Sequence, residues 1–433
     1  RRGPRRPAPG PLRARPVQAR VGRFPHARLG GGAGGVLVVP RLRIFIMNKR
    51  RVAIMTWHTH HNYGTALQAV ALNHVINSLG YIAQDVDYDP LLGADTHTPM
   101  TLSSRLLRKT RWLRGVRPIN LPERESKFDL FLRQWLPLTG PIRRKDDLVC
   151  LNGKFDAFVC GSDQIWSPRC FDPSYYLDFV DEPRRKIAYA PSFGCDSLDG
   201  FSCRDSICKL LSSFGALSVR ESTGKGIVRS AAGRDATQVL DPTLLLTANE
   251  WRGFSSQLSF KEGYCLFYFL GEHQGNRRAA RKVALSRGLE VVEIPVFEKY
   301  RNDEGVFLDA VGPAEFLSLF LNANLVCTDS FHGMVFATIF QKDLVAFERF
   351  DPNSSDSQNT RVYSFLEMAG AEDALLPRHE LDEWQNHIGE SLDYSCINPR
   401  IEAKRSDSIG YLRSALAPLI LIFLSLIHIS EPT

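Results

Sequence analysis

The segment 325–334 (LVCTDSFHGM) combines side chains that could bind an anion and move a proton. Its apolar start predicts a strand, and a helix is expected to begin near Gly333. Ser330, His332 and the local backbone N–H groups then lie at a helix N-terminus, where partial positive charge favours an anion. An imidazole there could bind phosphate or deliver a proton near neutral pH. The alternative is that Asp329 or Ser330 only caps the helix, with His332 packed nearby.

A second polar cluster follows the apolar run 155–160, which is predicted to be a strand. Gly161 allows the backbone to turn at the end of this strand. Ser162, Asp163 and Gln164 then provide three successive hydrogen-bonding side chains, which could hold a polyol. The alternative is a polar turn in which Asp163 caps the next segment.

The run 217–221 (LSVRE) places charged residues at the end of another predicted strand. The guanidinium of Arg220 is suited to bidentate binding of a carboxylate or a phosphate. The alternative is a surface turn formed by Arg220 and Glu221, and the residues alone favour that reading.

A fourth candidate is the segment 60–65 (HHNYGT), between the first predicted strand and the first predicted helix. Asn62 and Gly64 suit a close approach of the backbone to a ligand, with Tyr63 between them. They equally suit an ordinary connection between a strand and a helix.

Two further patterns are not interpreted as metal sites. Asp85, Asp87 and Asp89 alternate along a predicted strand, which is typical of one polar face of a half-buried strand. The histidines within 58–61 lack a fourth ligand at the spacing of a zinc site. No metal is therefore expected.

The elements that carry these candidates alternate between strand and helix along the chain. This rhythm, in two successive blocks, predicts two doubly wound α/β domains. Ligands of such sheets bind at the carboxyl ends of the strands, and a cleft between two domains is a favoured place. The predicted strands are 51–57, 82–88, 155–160, 187–190, 216–219, 239–246, 264–270, 289–296, 325–328 and 344–347. The first predicted helix is 67–75, with Gly80 as its stop signal. The other predicted helices are 102–112, 128–135, 276–287, 315–322 and 334–340. Residues 378–415 are expected to be mostly helical.

Both ends of the sequence differ from the rest in composition. Residues 1–46 contain eleven arginines and no lysine or acidic residue, and they are interpreted as a non-native leader rather than a nucleic-acid-binding arm. Residues 424–433 back-translate to DNA that resembles a sequencing adapter, so they are interpreted as read-through. Between them we predict an N-terminal α/β domain at 47–235, a C-terminal α/β domain at 236–385 and a helical segment at 386–423.

Charge and cysteine content narrow the class of protein. Without the eleven leader arginines and Glu431, the formal net charge of +7 becomes −3, so no nucleic acid partner is expected. The sequence has nine cysteines and no C-x-x-C pair. That pattern favours a reducing cytoplasm over a disulfide framework or a zinc site. No transmembrane span is predicted, because the apolar run at 416–429 is shorter than the ~20 residues of a spanning helix.

Five segments, taken together and in order, resemble the polysaccharide pyruvyl transferase family. They span roughly 50–350. The residues that carry the resemblance are Asn62-Tyr63-Gly64 with Leu67-Gln68, then Gly161–Trp166, Ser218–Glu221, Asp241–Leu245 and Thr328–Gly333. In one motif the chain departs from the family, since well-studied members carry Arg-Leu-His where this sequence has Ser330-Phe331-His332.

The resemblance implies a fold similar to that of GT-B glycosyltransferases, with two Rossmann-like domains and an interdomain cleft. Phosphoenolpyruvate would be the donor, and a saccharide or lipid-linked saccharide of a surface polysaccharide would be the acceptor. Neither a metal nor a bound cofactor is required. The implied location is cytoplasmic or peripheral at the inner face of the membrane.

The resemblance also implies roles for individual residues. His332 would be the general acid, while Arg220, Ser330 and Gly333 would bind the donor. The residues expected to bind substrate are Asn62, Tyr63, Gly64, Ser162, Asp163, Gln164 and Glu221.

Two other functions remain compatible with the sequence. A GT-B glycosyltransferase that uses a nucleotide sugar would share the fold and the cleft. A catalytically silent module that binds a sugar or an anion would share the site, and the missing arginine at position 330 is its main support. Nucleotide binding and phosphate release would distinguish these alternatives, because fold alone does not determine function.

Overall fold

Parallel β-sheets connected through helices form the framework of the protein. The computed structural model describes residues 49–59, 61–88, 119, 121–257, 263–300, 305–354, 357–387 and 391–417. Within these ranges the strands form sheets of four, six and two strands, and every strand pair is parallel. Parallel pairing requires a crossover between consecutive strands, which the alternating helices provide.

The first sheet has the strand order β2-β1-β3-β4. Its strands are Arg51–Met55 (β1), Ile82–Asp85 (β2), Ala157–Cys160 (β3) and Lys186–Ala188 (β4). A short pair, Ser218–Val219 (β5) with Thr237–Gln238 (β6), lies further along the chain. The predicted domain boundary at 235/236 falls just before β6, which pairs with a strand from the other side of that boundary.

The second sheet has the order β12-β11-β10-β7-β8-β9. Its strands are Tyr264–Tyr268 (β7), Glu290–Glu293 (β8), Val306–Phe307 (β9), Leu325–Thr328 (β10), Asp343–Phe347 (β11) and Leu375–Leu376 (β12). The central strands β7 and β10 are buried along their whole length. This burial matches the apolar sequences expected of a parallel sheet that is covered on both faces.

The helices cover the sheets and connect their strands. They are Tyr63–Ser78 (α1), Pro122–Trp135 (α2), Arg204–Ser212 (α3), Ser222–Ala232 (α4), Ala248–Phe254 (α5), Gln274–Ser286 (α6), Pro313–Asn322 (α7), Phe331–Ile339 (α8), Thr360–Ala369 (α9), Trp384–His387 (α10) and Tyr394–Leu416 (α11). None of the helices in the described ranges is both long and apolar enough to cross a membrane. The predicted helix at 102–112 lies outside the described residues.

One apolar core is shared by the inner faces of both large sheets. Alternate residues of a strand point to opposite faces. Val52 and Ile54 of β1 therefore join the same buried cluster as Leu266 of β7 and Val326 of β10. The outer face of each sheet has its own cluster. The two halves of the chain are thus packed against each other, and both belong to the compact unit that begins at Asn48.

Helix α1 is buried over most of its length and belongs to this shared core. The side chain of Asn62 caps its N-terminus by accepting a hydrogen bond from the Thr65 N–H, at 3.2 Å. The chain turns away after the helix at Gly80, whose φ of +97° lies in the region that favours glycine. The glycine stop signal in the sequence is therefore confirmed.

The predicted strand at 239–246 is wrong, because β6 ends at Gln238 and none of these residues belongs to a strand. Residues Pro242–Leu245 form a 3₁₀ turn instead. Proline has no N–H for a strand ladder, and the Asp241 carboxylate accepts a hydrogen bond from the Thr243 N–H at 3.0 Å. The local side-chain interaction thus replaces the strand that the apolar sequence suggested.

The polar strand face predicted for Asp85, Asp87 and Asp89 is also wrong for the first of these residues. Asp85 is fully buried in the structure and accepts a hydrogen bond from the Asn73 amide at 2.7 Å. Burial raises the pKa of Asp85 well above its ordinary value. Asp89 lies outside the described residues.

The last helix packs back onto the first half of the chain. On α11, Ser408 Oγ accepts a hydrogen bond from the buried Leu240 N–H at 2.9 Å, and the Tyr411 hydroxyl donates to the Ala188 carbonyl at 2.9 Å. Helix α11 therefore links the C-terminal end of the described chain to strand β4 and to the segment after β6.

Candidate active site

The junction between β10 and α8 is fixed by hydrogen bonds of small polar side chains. Ser330 Oγ caps α8 by accepting from the Gly333 N–H at 3.3 Å, and Thr328 Oγ1 accepts from the Ser330 N–H at 3.0 Å. A Cβ on Gly333 would meet Thr328 Oγ1 at 2.4 Å, so this position requires glycine for close packing. The cap was one of the two readings of the sequence. The cap gives the Gly333 N–H a hydrogen-bond partner. The N–H groups of Phe331 and His332, also in the first turn, need partners from outside the helix.

Asp241 connects four of the five motifs. Its Oδ2 accepts from Arg220 Nη1 at 3.0 Å and from the Ser162 hydroxyl at 3.1 Å, and it lies 3.7 Å from His332 Nε2. Burial alone would raise the pKa of Asp241, but the neighbouring His332 and Arg220 outweigh it and hold this pKa well below its ordinary range. The sequence signals Asp241 only as a member of the motif Asp241–Leu245, and its role depends on partners from other motifs.

His332 lies between Asp241 and helix α1. Its side chain is 12% exposed, and Nε2 is buried without a hydrogen bond in the described structure. The opposite side of the ring contacts Gly64, where an added Cβ would lie 2.0 Å from Nδ1. Gly64 therefore leaves the space that the imidazole occupies, which gives this glycine a packing role beyond the one predicted for it.

Arg220 is buried and neutralised by two carboxylates. Its Nε donates to Glu221 at 2.7 Å and its Nη1 donates to Asp241, while its guanidinium lies 4.4 Å from the centre of the Phe331 ring. Burial would lower the pKa of Arg220, but Glu221 and Asp241 outweigh it and raise this pKa above its ordinary value. Nη2 is buried without a hydrogen-bond partner in the described structure. The surface turn considered for this pair is wrong.

The cluster after β3 reaches toward both halves of the chain. Ser162 is fully buried and points to Asp241, so its hydroxyl is part of the ionic cluster rather than a cavity wall. Asp163 has a φ of +69° and accepts from the Thr65 hydroxyl at 2.6 Å. Gln164 donates to the Gln358 side chain of the second half at 3.0 Å.

Asn62 and Tyr63 lie at the start of α1 but face different surroundings. Asn62 is exposed and caps the helix. Tyr63 is fully buried, stacks on Phe316 at 4.3 Å and donates its hydroxyl to the Val311 carbonyl at 2.7 Å. The structure therefore gives the hydroxyl of Tyr63 a partner within the protein and leaves Asn62 accessible.

A central cavity of about 430 Å³ separates the strand ends of the two halves. The first half contributes Asn62, Asp163 and Gln164 to its wall, and the second half contributes Ser330 and His332. These residues lie together because the carboxyl ends of parallel strands are all at the same edge of a sheet. Arg220 and Glu221 do not line this cavity. They line a neighbouring one of about 420 Å³, beyond Phe331.

Two further arginines, which were not predicted from the sequence, line the central cavity. Arg349 follows the end of β11, and Arg361 lies in the first turn of α9. Within the described ranges, no carboxylate forms an ion pair with either guanidinium. Burial, together with the neighbouring Arg220, lowers the pKa of Arg361 to about 10. Arg349 could have been found as a cation at a strand end, as Arg220 was, whereas Arg361 has no such signal.

Acidic side chains of the cavity wall are occupied by internal hydrogen bonds. Both oxygens of Asp329 accept from backbone N–H groups, of Leu270 at 2.7 Å and Gly271 at 2.9 Å. Burial raises the pKa of Asp329, although Arg349 and these N–H groups act against it. Among the described residues, no group of three His, Cys, Asp or Glu side chains could hold a metal ion. The cavity therefore presents an imidazole, a helix N-terminus and two guanidinium groups that have no carboxylate partner among the described residues. The guanidinium of Arg361 donates to the Gln358 side chain at 3.0 Å.

The fold and the site define an α/β protein with two large parallel sheets and a cavity between their strand ends that is lined by arginine and histidine side chains. This confirms the predicted fold class of two Rossmann-like sheets with a cleft. The sequence model described as "Polysaccharide pyruvyl transferase" matches residues 62–351, which is most of the chain. The chain belongs to this family and is a transferase, so the resemblance stated from the five motifs is confirmed.

Comparisons with solved structures find similar proteins at low sequence identity and low TM-score. UDP-GlcNAc 2-epimerase from Methanocaldococcus jannaschii is 11% identical with a TM-score of 0.45, covering 80% of this chain and 95% of its own. The enzyme from Rickettsia bellii is 10% identical with a TM-score of 0.45, covering 88% and 99%. MurG from Acinetobacter baumannii is 10% identical with a TM-score of 0.38, covering 84% and 98%. No curated protein matches the chain significantly.

Proposed function

We propose that the chain transfers the pyruvyl group of phosphoenolpyruvate to a saccharide, and that the central cavity binds the donor. The observation that carries the proposal is the pair Arg349 and Arg361, which line this cavity without a carboxylate partner among the described residues. Phosphoenolpyruvate carries a phosphate and a carboxylate, and guanidinium groups bind both kinds of anion bidentately. These arginines supply the positive charge that well-studied family members carry where this chain has Ser330.

The helix N-terminus adds to this positive charge. The first-turn N–H groups of α8 point out of the helix end and favour a phosphate. Ser330 keeps this end ordered through its cap on the Gly333 N–H. In this proposal Arg220 contributes through Asp241, since its guanidinium does not line the central cavity.

His332 is the general acid of the proposed reaction. It protonates the methylene carbon of phosphoenolpyruvate, which makes carbon 2 electrophilic, and a first acceptor hydroxyl adds there and releases a proton that restores the imidazolium. A second hydroxyl then forms the other C–O bond of the ketal as the C–O bond to phosphate breaks, and its proton leaves with the phosphate. The Asp241 carboxylate lies 3.7 Å from Nε2 of this ring.

We also propose that the reaction takes place in the cytoplasm or at the inner face of the membrane, on a saccharide of a surface polysaccharide. All nine cysteines are free thiols, which is typical of a reducing compartment. The polysaccharide family supports a saccharide acceptor.

The test is thermal protection of the full chain by phosphoenolpyruvate, compared with UDP- and GDP-sugars. A ligand that binds the native state raises the melting temperature by mass action. We expect phosphoenolpyruvate to protect the protein, and Arg349→Gln or Arg361→Gln to remove most of that protection. Arg229→Gln, at an exposed surface position, is the control and should behave like the parent protein.

Other outcomes would favour the remaining candidates. Protection by a nucleotide sugar alone would replace the proposal with a glycosyltransferase. Protection by phosphoenolpyruvate, with no release of its phosphate in the presence of any saccharide acceptor, would indicate a silent anion-binding module.

A further inference from the structure

A cavity of about 500 Å³, which we call the side cavity, adjoins the central cavity next to helix α2. The two share Asn62, Leu270 and Val296 in their walls. A molecule in the side cavity would therefore lie against a molecule in the central cavity. A group transfer between two reactants requires this arrangement, because the reacting atoms must come into contact.

Tyr268 provides a polar group that faces the side cavity without a partner. It is the last residue of β7 and is only 3% exposed, and it lines the side cavity. In the part of the chain that the structure describes, its hydroxyl forms no hydrogen bond. The hydroxyl oxygen itself is not fully buried, so it can take a partner from the cavity. A ligand oxygen in the side cavity would supply one.

Arg124 provides an unpaired charge at the same cavity. Arg124 lies in the first turn of α2, and its guanidinium is 5.0 Å from the centre of the Tyr63 ring. No carboxylate of the described residues forms an ion pair with it, although Glu125 lines the same cavity. An ordered guanidinium of this kind is suited to a carboxylate or a phosphate.

We propose that the side cavity binds the acceptor saccharide and that Arg124 binds an anionic group on it, a sugar carboxylate or a phosphate ester. This inference rests on the proposed function, because it takes the central cavity as the donor site. The Tyr268 hydroxyl and the exposed Asn62 amide bind sugar oxygens, while the reacting hydroxyls point through the shared wall toward the donor. Arg124 thereby selects acidic or phosphate-linked saccharides over neutral ones.

The experiment titrates three sugars into the full chain saturated with phosphoenolpyruvate: glucuronic acid, glucose 1-phosphate and glucose. Calorimetry gives a dissociation constant for each sugar. We expect Arg124→Gln to weaken binding of an anionic sugar by about tenfold and to leave glucose unchanged. Tyr268→Phe should weaken all three severalfold. Arg133→Gln, at an exposed position on the same helix, is the matched control and should change none of them.

The comparison between the anionic sugars identifies the source of the charge. Tighter binding of glucuronic acid would indicate an acidic sugar, and tighter binding of glucose 1-phosphate would indicate a phosphate-linked saccharide. Equal affinity of Arg124→Gln and the parent protein for both anionic sugars would overturn the proposal. Binding by none of the three sugars would overturn it as well.

Donor binding is measured separately, so that the two proposals can fail independently. Arg124→Gln should bind phosphoenolpyruvate like the parent protein, because Arg124 does not line the central cavity. If phosphoenolpyruvate does not bind the parent protein, the proposed donor is wrong. Arg124-dependent binding of an anionic sugar would still support the side cavity as a saccharide site.

Discussion

A single carboxylate, Asp241, lies beside a guanidinium and an imidazole that come from different motifs. Removing its charge in Asp241→Asn would leave Arg220 with Glu221 as its remaining carboxylate partner, in a site that is almost fully buried. Breaking a buried ion pair typically costs about 3–5 kcal/mol. We therefore expect urea unfolding to show a loss of stability of that order. Asp235→Asn, at the exposed ion pair with Arg229, is the control and should cost less than about 1 kcal/mol.

Equal losses in the two variants would mean that the Asp241 pair contributes no more than a surface pair. The effect should also depend on pH. Because the pKa of Asp241 is held well below its ordinary value, its contribution is present above the unfolded-state pKa of about 4 and is lost as the pH falls toward the lower folded-state pKa. The difference between parent and variant should therefore shrink in strong acid.

Gly64 determines whether His332 can occupy its position. An alanine at position 64 would place Cβ 2.0 Å from Nδ1, so the imidazole must move. We expect Gly64→Ala to abolish phosphate release and to lower stability by about 1–3 kcal/mol. Gly226→Ala is the matched control, since position 226 is also helical and has open space around it. Full activity in Gly64→Ala would contradict the role of this contact.

The residues of the site could be predicted only in part from the sequence. His332 and Ser330 were found because a polar turn between a strand and a helix is a local pattern. The sequence indicates Asp241 as a motif residue but does not show which residues it contacts, because its partners are distant along the chain. Arg361 carries no local signal at all, since only the packing of α9 against the cleft brings it there.

At the scale of the element, strand β2 contains a buried acid that reduces stability at neutral pH. Burial raises the pKa of Asp85, whereas the same side chain ionises near pH 4 in the unfolded chain. As the pH rises through this interval, the unfolded chain loses a proton that the folded chain keeps, so stability falls. Asp85→Asn removes this cost. We therefore expect the change in unfolding free energy caused by the substitution to be more favourable at pH 8 than at pH 4.

Unfolding in urea at the two pH values measures this difference. Asp87→Asn, at the half-exposed position two residues further along, is the control. An Asp85→Asn variant with the same effect at pH 4 and pH 8 would show that the folded protein ionises Asp85 like the unfolded chain.

Most elements were predictable because each one carries its own pattern. Strands β1, β3, β7 and β10 follow from short apolar runs, and α1 follows from its spacing and its glycine stop. The segment 239–246 was not predictable from apolarity, since Asp241 and Pro242 favour a turn through one side-chain hydrogen bond. The burial of Asp85 was hidden for a related reason, because its partner Asn73 lies on a different element.

At the scale of the whole molecule, α11 ties the end of the described chain to the first half. Ser408→Ala would remove the acceptor of the buried Leu240 N–H and leave that group unpaired. An unsatisfied buried donor costs about 1–3 kcal/mol. We expect a loss of this size in urea unfolding. Ser406→Ala, at an exposed position on the same helix, should stay within about 0.5 kcal/mol of the parent protein, and an equal effect of both variants would argue against the tie.

The overall architecture was predictable because alternation of strands and helices restricts the possible folds to a few. The predicted carboxyl edges of the strands also gave the side of the sheets at which the site would lie. The sequence could not show that the inner faces of both sheets share one core, because that depends on how the halves are packed.

The contact between Gly64 and His332 limits how this family can exchange parts. The proposed acid belongs to the second half of the chain, while the space that it needs is provided by the first half. A hybrid protein that joins halves from two relatives would therefore be active only if its first half has glycine at the position of Gly64. Recombination within the family should accordingly preserve compatible pairs of halves rather than independent modules.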